Sequence, residues 1–379
     1  MSYDLGDYAA MIADPVRGAA YLAAMRECVR PGSVVADIGA GPGVLGVYAA
    51  MLGARRVFLV EPDQSVGAAL GLAAENGVAD RIEIIARAST DIELPERADL
   101  IVSDLRGVLP LWQRHLVAAA DMRRRLLAPG GACIPVRDTL HVAPVDDAAL
   151  HDKVVRGWRP LAATMHVGTL GDLLANSWYR THAAATQLLS PPAHWATLAY
   201  DDAPLTAVSG TCDVTVSRDG VLHGLLCWFD AALTATIGFS NAPAAPPALY
   251  GQAFFPLATP IAVQAGDTAR LSLRAVQTAH DWEWAWAAEV TRSGTSVGAG
   301  RQATLKGQTA SPGQLARRDA RFVPRPSADA EAMALILECM DGSRSLAAIA
   351  AHLRERLPDR FGSERDALQF VASRDELFA

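Results

Sequence analysis

The feature that most constrains this chain is a glycine-rich turn between an apolar strand and a helix. The segment from Val34 to Gly43 reads Val-Val-Ala-Asp-Ile-Gly-Ala-Gly-Pro-Gly. Glycines in such a turn let the backbone approach a ligand closely, and the helix that follows directs its N–H groups at that ligand. The dinucleotide fingerprint G-x-G-x-x-G requires glycine at position 44, where Val44 stands, so the sequence excludes the NAD interpretation.

The first third of the chain alternates strands and helices on both sides of this turn. The predicted elements are a helix at Pro15–Val29, a strand at Ser33–Asp37, a helix at Val44–Leu52, a strand at Arg56–Val60, a helix at Ser65–Glu75, strands at Ile82–Ala86 and Leu100–Ser103, and a helix at Trp112–Leu126. This alternation predicts a parallel sheet covered on both faces, with its ligand at the carboxyl ends of the strands. Glu61 ends the second strand, where a carboxylate can accept hydrogen bonds from both hydroxyls of a ribose.

After Pro135 the pattern changes to short apolar runs with period two, separated by Gly, Asp and Pro. The runs at Cys212–Val216, Gly224–Phe229 and Ala269–Leu273 predict antiparallel strands in a barrel or sandwich. Trp282, Trp284 and Trp286 fall on one face of a strand, which is typical of core packing.

The sequence thus predicts an α/β Rossmann-like domain, an antiparallel β-barrel and a small helical C-terminal domain. The expected boundaries are 1–136 for the Rossmann-like domain with its N-terminal helix, 137–309 for the barrel with a helical insertion at about 158–182, 310–326 for a linker, and 327–379 for the tail.

The bulk properties restrict the possible partners. A net charge of −7 disfavours nucleic acid, because a phosphate backbone selects basic surfaces. The five cysteines are scattered without a C-x-x-C pair, so neither a metal site nor a disulfide framework is expected. We expect a cytoplasmic protein without membrane attachment, because no apolar stretch approaches the length of a membrane span.

The ordered motifs resemble those of class I S-adenosylmethionine methyltransferases, and more narrowly those of the protein arginine methyltransferase family. The resemblance covers about Tyr8 to Gly307. It rests on the glycine-rich turn and on these further segments: Met11–Arg17 with Tyr21, Gly53–Val57, Leu94–Pro95, Asp99–Ser103, Leu127–Gly131 and Gly238–Pro243.

The resemblance implies S-adenosylmethionine as the cofactor and S-adenosylhomocysteine as the product. It implies that Arg17 holds the cofactor carboxylate, Glu61 the ribose, and Ser89 with Thr90 the adenine edge. The remaining residues that it places around the cofactor are Met11, Asp37, Gly39, Gly41, Gly43, Leu45, Pro62 and Ser103.

At the substrate site the chain departs from the family pattern. Family members carry two glutamates that grip the target guanidinium, and here Asp104 and Gln113 stand at those positions. A planar guanidinium binds best to carboxylates that each accept two parallel hydrogen bonds. Unmodified arginine is therefore a doubtful target. The candidate catalytic residues are Asp104, Gln113 and Asp14. The candidate substrate-binding residues are Tyr8, with Tyr3 as an alternative, Arg106 and Tyr250.

Arg106 has two interpretations of equal weight. The side chain either binds a substrate carboxylate or points outward to solvent. The family's Thr-His-Trp loop is replaced by Ala248–Tyr250, so the histidine that would pair with Asp14 is missing.

Two further segments predict partners. The tail from Asp341 to Val371 resembles the helical half of PqqD-like peptide-binding domains, which would imply a ribosomal precursor peptide whose leader binds there; an accessory subdomain that only packs or dimerises is an equal alternative. The insertion from Trp158 to Tyr179, with Leu161, Leu170, Leu173 and Trp178, stands where family members carry a dimerisation arm, so a homodimer is expected.

The function expected from these features is N-methylation of a side chain in a peptide or protein. One alternative is an O- or N-methyltransferase for a small molecule, with Arg106 binding a carboxylate. The other is a catalytically inactive scaffold that binds peptides, against which the intact glycine turn and Glu61 argue.

Overall fold

A computed structural model describes residues 5–158, 164–200, 205–279, 281–309, 311–317 and 319–374. Its internal contacts divide the chain into two units, Met1–Gln308 and Thr309–Ala379. The predicted boundary at 136/137 falls inside the first unit, between two strands. Tyr3 and Leu161 lie outside the described residues.

Two short helices open the first unit. Helix α1 spans Leu5–Ala13 and α2 spans Pro15–Cys28. The Asp14 carboxylate accepts hydrogen bonds from the backbone of Val16 and Arg17, and Pro15 occupies the first turn, so the sequence Asp-Pro starts α2. Helix α1 was not predicted, because nine residues are too few for a clear apolar periodicity.

The parallel sheet follows the predicted order of elements. Its strands are β1 (Val34–Ile38), β2 (Arg56–Val60), β3 (Ile82–Ile85), β4 (Ala98–Ser103) and β5 (Leu127–Ile134), interspersed with α3 (Val44–Met51), α4 (Ala68–Glu75) and α5 (His115–Arg125). The spatial order is β3-β2-β1-β4-β5, with all neighbours parallel. This confirms the Rossmann-like prediction and places β1 beside β4, where the order of strands reverses.

The second part of this unit is antiparallel, as predicted. Its strands are β6 (Arg137–Val145), β7 (Tyr179–Thr181), β8 (Ala193–Ala199), β9 (Ala207–Thr215), β10 (Gly220–Ala232), β11 (Gly238–Ser240), β12 (Gln252–Val263), β13 (Thr268–Gln277), β14 (Trp282–Arg292) and β15 (Thr295–Ala303). Within the described residues, hydrogen bonds join them into two sheets rather than one closed barrel: β7-β12-β10-β6-β8 with β11 on β10, and β15-β14-β13-β9.

The tryptophan stripe of β14 lies in the core, as its spacing predicted. Trp282, Trp284 and Trp286 are all buried. The rings of Trp284 and Trp286 lie 5.0 and 5.3 Å from that of Phe255 on β12, so they pack one antiparallel sheet against the other. The Trp286 indole N–H donates to the Pro256 carbonyl at 2.7 Å, which satisfies its buried polar atom.

Helical segments complete the two units. In the first unit these are α6 (Ala148–Val155), α7 (Gly168–Ala175) and α8 (Thr304–Gly307). The second unit contains α9 (Pro312–Ala316), α10 (Ala328–Cys339), α11 (Leu346–Arg356) and α12 (Glu364–Ala372), the last three around an apolar core of their own. The Ser345 side chain caps α11 by accepting from the Ala348 backbone.

Among the helices of the described residues, none is long and apolar enough to cross a membrane. The same residues contain no cluster of three His, Cys, Asp or Glu side chains that could hold a metal ion.

Close packing of α3 on the sheet requires a glycine at Gly46. A Cβ atom there would lie 2.1 Å from Leu59 Cδ2 and 3.2 Å from Val57 Cγ1, both on β2. We therefore expect Gly46→Ala to lower the free energy of unfolding by about 1 to 3 kcal/mol through overpacking. Chemical denaturation measures the effect.

The matched control is Gly71→Ala in α4, where a new Cβ meets no atom within 4 Å. Alanine is the better helix former, so this control should leave stability unchanged or raise it by up to about 1 kcal/mol. Equal behaviour of the two variants would contradict the packing argument.

Candidate cofactor and substrate site

The candidate site lies at the carboxyl ends of β1 and β4, where the strand order reverses. Ligands of doubly wound sheets bind in this crevice. Strand β1 leads into the glycine turn, and β4 leads through Ser103 into Asp104. Ser103 is fully buried, and its hydroxyl has no hydrogen-bond partner among the described residues.

The glycine turn has the backbone that its sequence predicts. Gly39, Gly41 and Gly43 have φ angles of 72°, 51° and 80°, which only glycine adopts without strain. A Cβ on Gly41 would lie 2.5 Å from the ring of Tyr8, which therefore covers the turn.

Glu61, directly after β2, stabilises the same turn through hydrogen bonds. Its carboxylate accepts from the backbone N–H of Gly41 at 3.0 Å and of Asp63 at 2.9 Å, and the side chain is buried. A carboxylate has about four acceptor positions, so this one retains capacity for ribose hydroxyls. The geometry of the turn and this carboxylate therefore fits a nucleoside whose sugar lies at Glu61.

Asp37 supports the turn from below. Its carboxylate accepts from the Gly46 backbone at 2.8 Å and is nearly inaccessible to solvent. Burial raises the pKa of Asp37 to about 7, although the hydrogen bond from Gly46 acts in the opposite direction and lowers it. In this structure Asp37 contacts the backbone of α3, and its predicted role toward the cofactor stays a prediction.

The loop predicted to face adenine is anchored by Arg125. Its guanidinium donates to the carbonyls of Ser89 at 2.7 Å and Ile92 at 2.6 Å, and it is held in turn by Asp121. Thr90 is exposed and donates to Asp91. This role of Arg125 was not predicted, because the run of arginines at positions 123–125 gives no local sign that one of them turns inward.

Three other residues assigned to the cofactor lie around the same crevice. The Met11 carbonyl is 3.4 Å from an Nη atom of Arg17. Leu45 is half-buried in the first turn of α3, and Pro62 is exposed after Glu61.

Asp104 is the centre of the candidate substrate site. One carboxylate oxygen, Oδ2, accepts from Arg17 Nε and from the Tyr250 hydroxyl at 2.6 Å. The other, Oδ1, accepts from Arg106 Nη1 at 3.1 Å. Three parts of the chain, α2, the loop after β4 and the segment before β12, therefore meet on one carboxylate.

The surrounding charges determine the ionisation of Asp104. Burial favours the protonated acid, but the charges of Arg17 and Arg106 and the hydrogen bond from Tyr250 outweigh it and lower the pKa to about 2. Burial and the neighbouring Asp104 charge raise the pKa of Tyr250 well above its usual value. At neutral pH the site therefore holds a carboxylate and a neutral phenol.

The structure corrects the prediction for Arg106, whose side chain is completely buried. Its Nε and Nη2 donate to the two oxygens of Asp138 at 2.8 and 3.0 Å, and its Nη1 donates to the Tyr21 hydroxyl at 2.8 Å. The solvent-facing interpretation is therefore wrong. The contact with a substrate carboxylate is also contradicted, because protein acceptors surround the guanidinium.

A chain of hydrogen bonds extends from this ion pair into the core. The Tyr200 hydroxyl donates to Asp138, so it accepts from His115 Nε2 at 2.9 Å. Burial and the charge of Arg106 lower the pKa of His115 to about 3, which leaves the imidazole neutral with its proton on Nε2. These partners were missed, because their separation along the chain gives no local signal.

Tyr250 is positioned by the segment that follows β10. The Asn241 side chain accepts from the Phe229 backbone at 2.8 Å and donates to the Gly251 carbonyl. The Phe239 ring stacks on Tyr250 with centroids 5.7 Å apart. Asp14, buried at the start of α2, accepts from the Leu249 backbone, so both of its oxygens are engaged by N–H groups.

Gln113 does not contact the Asp104 cluster in the hydrogen bonds of the described residues. Its side chain is exposed, and its φ of 42° is unusual for a residue other than glycine. Its backbone is tied to the β13–β14 hairpin, with its N–H donating to Asp281 and its carbonyl accepting from Trp282 Nε1.

Comparison with known proteins agrees with this geometry. Residues 136–285 match the model of the arginine methyltransferase oligomerization subdomain, and residues 19–133 match that of the ribosomal protein L11 methyltransferase PrmA. By sequence and by fold, the chain is similar to protein arginine methyltransferases. The PqqD-like resemblance of the tail has no counterpart among these matches.

Curated relatives match more than half of the chain. The probable histone-arginine methyltransferase 1.4 of Arabidopsis thaliana is 32% identical over 294 residues, 69% of this chain and 53% of that protein. Protein arginine N-methyltransferase 6 of Danio rerio is 29% identical over 236 residues, 59% of this chain and 68% of that protein. The chain spans about half the length of the first of these relatives.

Solved structures share the fold. The PRMT1 enzyme–prozyme heterotetramer of Trypanosoma brucei with AdoHcy has a TM-score of 0.71 at 21% identity, and Arabidopsis thaliana protein arginine methyltransferase 10 has 0.69 at 22%. Each match covers 79% of this chain and 98% of the other.

The buried ion pair generates a stability prediction. We expect Asp138→Asn to lower the free energy of unfolding by about 3 to 5 kcal/mol, because it leaves the Arg106 charge buried without its partner. Chemical denaturation measures the loss.

The control is Asp213→Asn on β9, which breaks the exposed pair with Arg270 and should cost less than about 1 kcal/mol. A similar small loss in both variants would show that Arg106 is not held by Asp138.

Proposed function

We propose that this chain is an S-adenosylmethionine-dependent methyltransferase that methylates a side-chain nitrogen of a peptide or protein. The observation that carries the proposal is the position of the glycine turn and Glu61 beside the Arg17–Asp104–Tyr250 cluster, at one reversal point of a parallel sheet. The relatives named above support the same reaction class.

The cofactor assignment rests on residues that fit its separate parts. The backbone of Gly39 and Gly41 approaches the methionine portion, Glu61 receives the ribose hydroxyls, and the loop held by Arg125 borders the adenine. Arg17 uses Nε for Asp104 and one Nη1 hydrogen for the Met11 carbonyl, which leaves its other Nη hydrogens for the cofactor carboxylate.

The bound cofactor supplies an electrophilic methyl group, and the protein supplies position. Tyr8 covers the glycine turn, and the buried Asp104 and Tyr250 fix polar atoms next to it. An acceptor held in line with the methyl group gains most of its acceleration from this fixed geometry.

No observation in the described residues favours the alternative functions. The matches to methyltransferases extend through both the parallel sheet and the antiparallel sheets, and none points to a small-molecule enzyme or an inactive scaffold. Binding of a precursor leader by the tail stays a prediction.

We further propose a homodimer. The match of residues 136–285 to an oligomerization subdomain supports assembly. The predicted arm carries exposed Trp158, Met165 and Leu170, and α3 and α4 expose Met51 and Leu70. Exposed apolar residues on two separate surfaces of one chain suit an interface in which the arm of one copy covers the helices of another.

Cofactor binding provides the first test. Isothermal calorimetry with S-adenosylhomocysteine should show binding to the full chain. Glu61→Gln should weaken the affinity by about tenfold or more, because a hydrogen bond to a charged group contributes about 1.5 to 3 kcal/mol.

Glu83→Gln, on the neighbouring strand β3, is the control and should bind like the unchanged protein. Absence of binding to the unchanged chain at millimolar ligand would refute the enzyme assignment.

Light scattering coupled to size exclusion tests the dimer. The unchanged chain should elute with the mass of two 40.1 kDa subunits, and Met51→Asp with Leu70→Asp should yield one subunit, because the charges would be buried in the interface. Val297→Asp on β15, also exposed, is the control. A monomeric unchanged chain, or a dimer that survives the paired substitution, would contradict the proposal.

A further inference from the structure

The Asp104 carboxylate lies between two guanidinium groups of the protein itself. Arg17 contacts Oδ2 through Nε, and Arg106 contacts Oδ1 at 3.1 Å. The Tyr250 hydroxyl adds a third donor. An incoming guanidinium would therefore approach a carboxylate whose charge two cations already offset.

Arg106 cannot move aside to release Asp104. Its side chain is completely buried, and three of its contacts run to Asp138 and Tyr21. Turning it outward would leave Asp138, also completely buried, without its partner cation. Arg106 therefore keeps one acceptor position of Asp104 occupied, while its own charge is matched by Asp138.

The residue at the second substrate position carries no charge of its own, although the Asp281 carboxylate accepts from its backbone N–H. Gln113 is neutral, and its side chain is exposed rather than joined to the cluster. The nearby carboxylates of Asp14 and Glu61 are engaged by backbone N–H groups. A bidentate clamp for a cationic side chain needs a free carboxylate edge. Both oxygens of Asp14 already accept backbone N–H groups, and the proposed function assigns the remaining capacity of Glu61 to the ribose.

We propose that the acceptor of this site is a neutral nitrogen with a free lone pair, namely the imidazole of a histidine in the substrate chain. This inference rests on the proposed function. Asp104 accepts the ring N–H, which selects the tautomer and directs the lone pair of the other nitrogen at the methyl group. The unperturbed pKa of a histidine side chain is about 6.5, so at neutral pH most of it is uncharged and one ring nitrogen has a free lone pair.

The transfer then balances without a base. The imidazole lone pair forms the N–C bond, the S–C bond breaks, and its electron pair remains on sulfur, which becomes a neutral thioether. The positive charge passes to the ring, where Asp104 stabilises it, and the ring N–H proton leaves to water afterwards. A guanidinium would first have to lose a proton, and Asp104, with a pKa of about 2, is a poor acceptor for it.

Amino-acid analysis of labelled protein tests the proposal. The full chain is incubated with methyl-labelled cofactor and a lysate depleted of endogenous methyltransferase activity by heat, and the hydrolysate is separated by mass spectrometry. N-methylhistidine is the expected labelled residue. Labelled methylarginine, or a methylated amide, as the main product would overturn the inference while the proposed function stands. No labelled residue at all would refute both.

A paired substitution tests the role of Arg106. Replacing Arg106→Met together with Asp138→Asn removes the buried cation and its counterion. We expect the ratio of arginine to histidine methylation to rise at least tenfold relative to the unchanged chain. Arg270→Met with Asp213→Asn removes an exposed pair as a control and should leave the ratio unchanged. An unaltered ratio in a folded Arg106 variant would contradict the account.

The pH profile provides a measurement on the unchanged protein. For an imidazole acceptor, kcat/KM should rise as the substrate histidine loses its proton near pH 6.5 and then remain level. A rate that continues to rise above pH 9 would indicate a guanidinium acceptor and would overturn the proposal even if the paired variant fails to fold.

Discussion

The ion pair between Arg106 and Asp138 is the interaction on which the rest of the site depends. It joins the loop after β4 of the parallel sheet to β6, the first antiparallel strand, and both side chains are fully buried. Because a broken buried pair is costly, the two parts of the first unit keep a fixed relation at this point. The pair also fixes the position of Asp104, through the hydrogen bond from Arg106 Nη1.

The same interaction links architecture to chemistry. Asp104 accepts hydrogen bonds from α2, from its own loop and from Tyr250. The position of its carboxylate therefore depends on how these three segments are arranged. The charge balance around it differs from a site with two unpaired glutamates. Under the proposed function, the cofactor crevice and the acceptor pocket depend on different residues, so the acceptor preference can change while the crevice is kept.

Much of the crevice was predictable from the sequence. The glycine turn, Glu61 and the alternation of strands and helices follow from local sequence patterns. The alignment of motifs also indicated Asp104 and Tyr250, which the structure places in hydrogen-bond contact. The antiparallel strands and the buried tryptophan stripe followed from their period of two.

The pairing of Arg106 was not predictable. Asp138 stands 32 residues away and Tyr200 lies further still, so only the folded chain brings them together. An arginine next to a substrate loop suggests an anion contact or a surface position, and no local pattern indicates burial. The anchoring role of Arg125 was missed for the same reason, because tertiary contacts define it.

A crystal structure of the full chain with S-adenosylhomocysteine tests the central claim most directly. The account predicts the ribose at Glu61 and the ligand carboxylate on the Nη groups of Arg17, with Arg17 Nε and Arg106 both still on Asp104. A ligand bound elsewhere would contradict the cofactor site. An Asp104 carboxylate freed from both arginines in the complex would contradict the claim that its charge is offset.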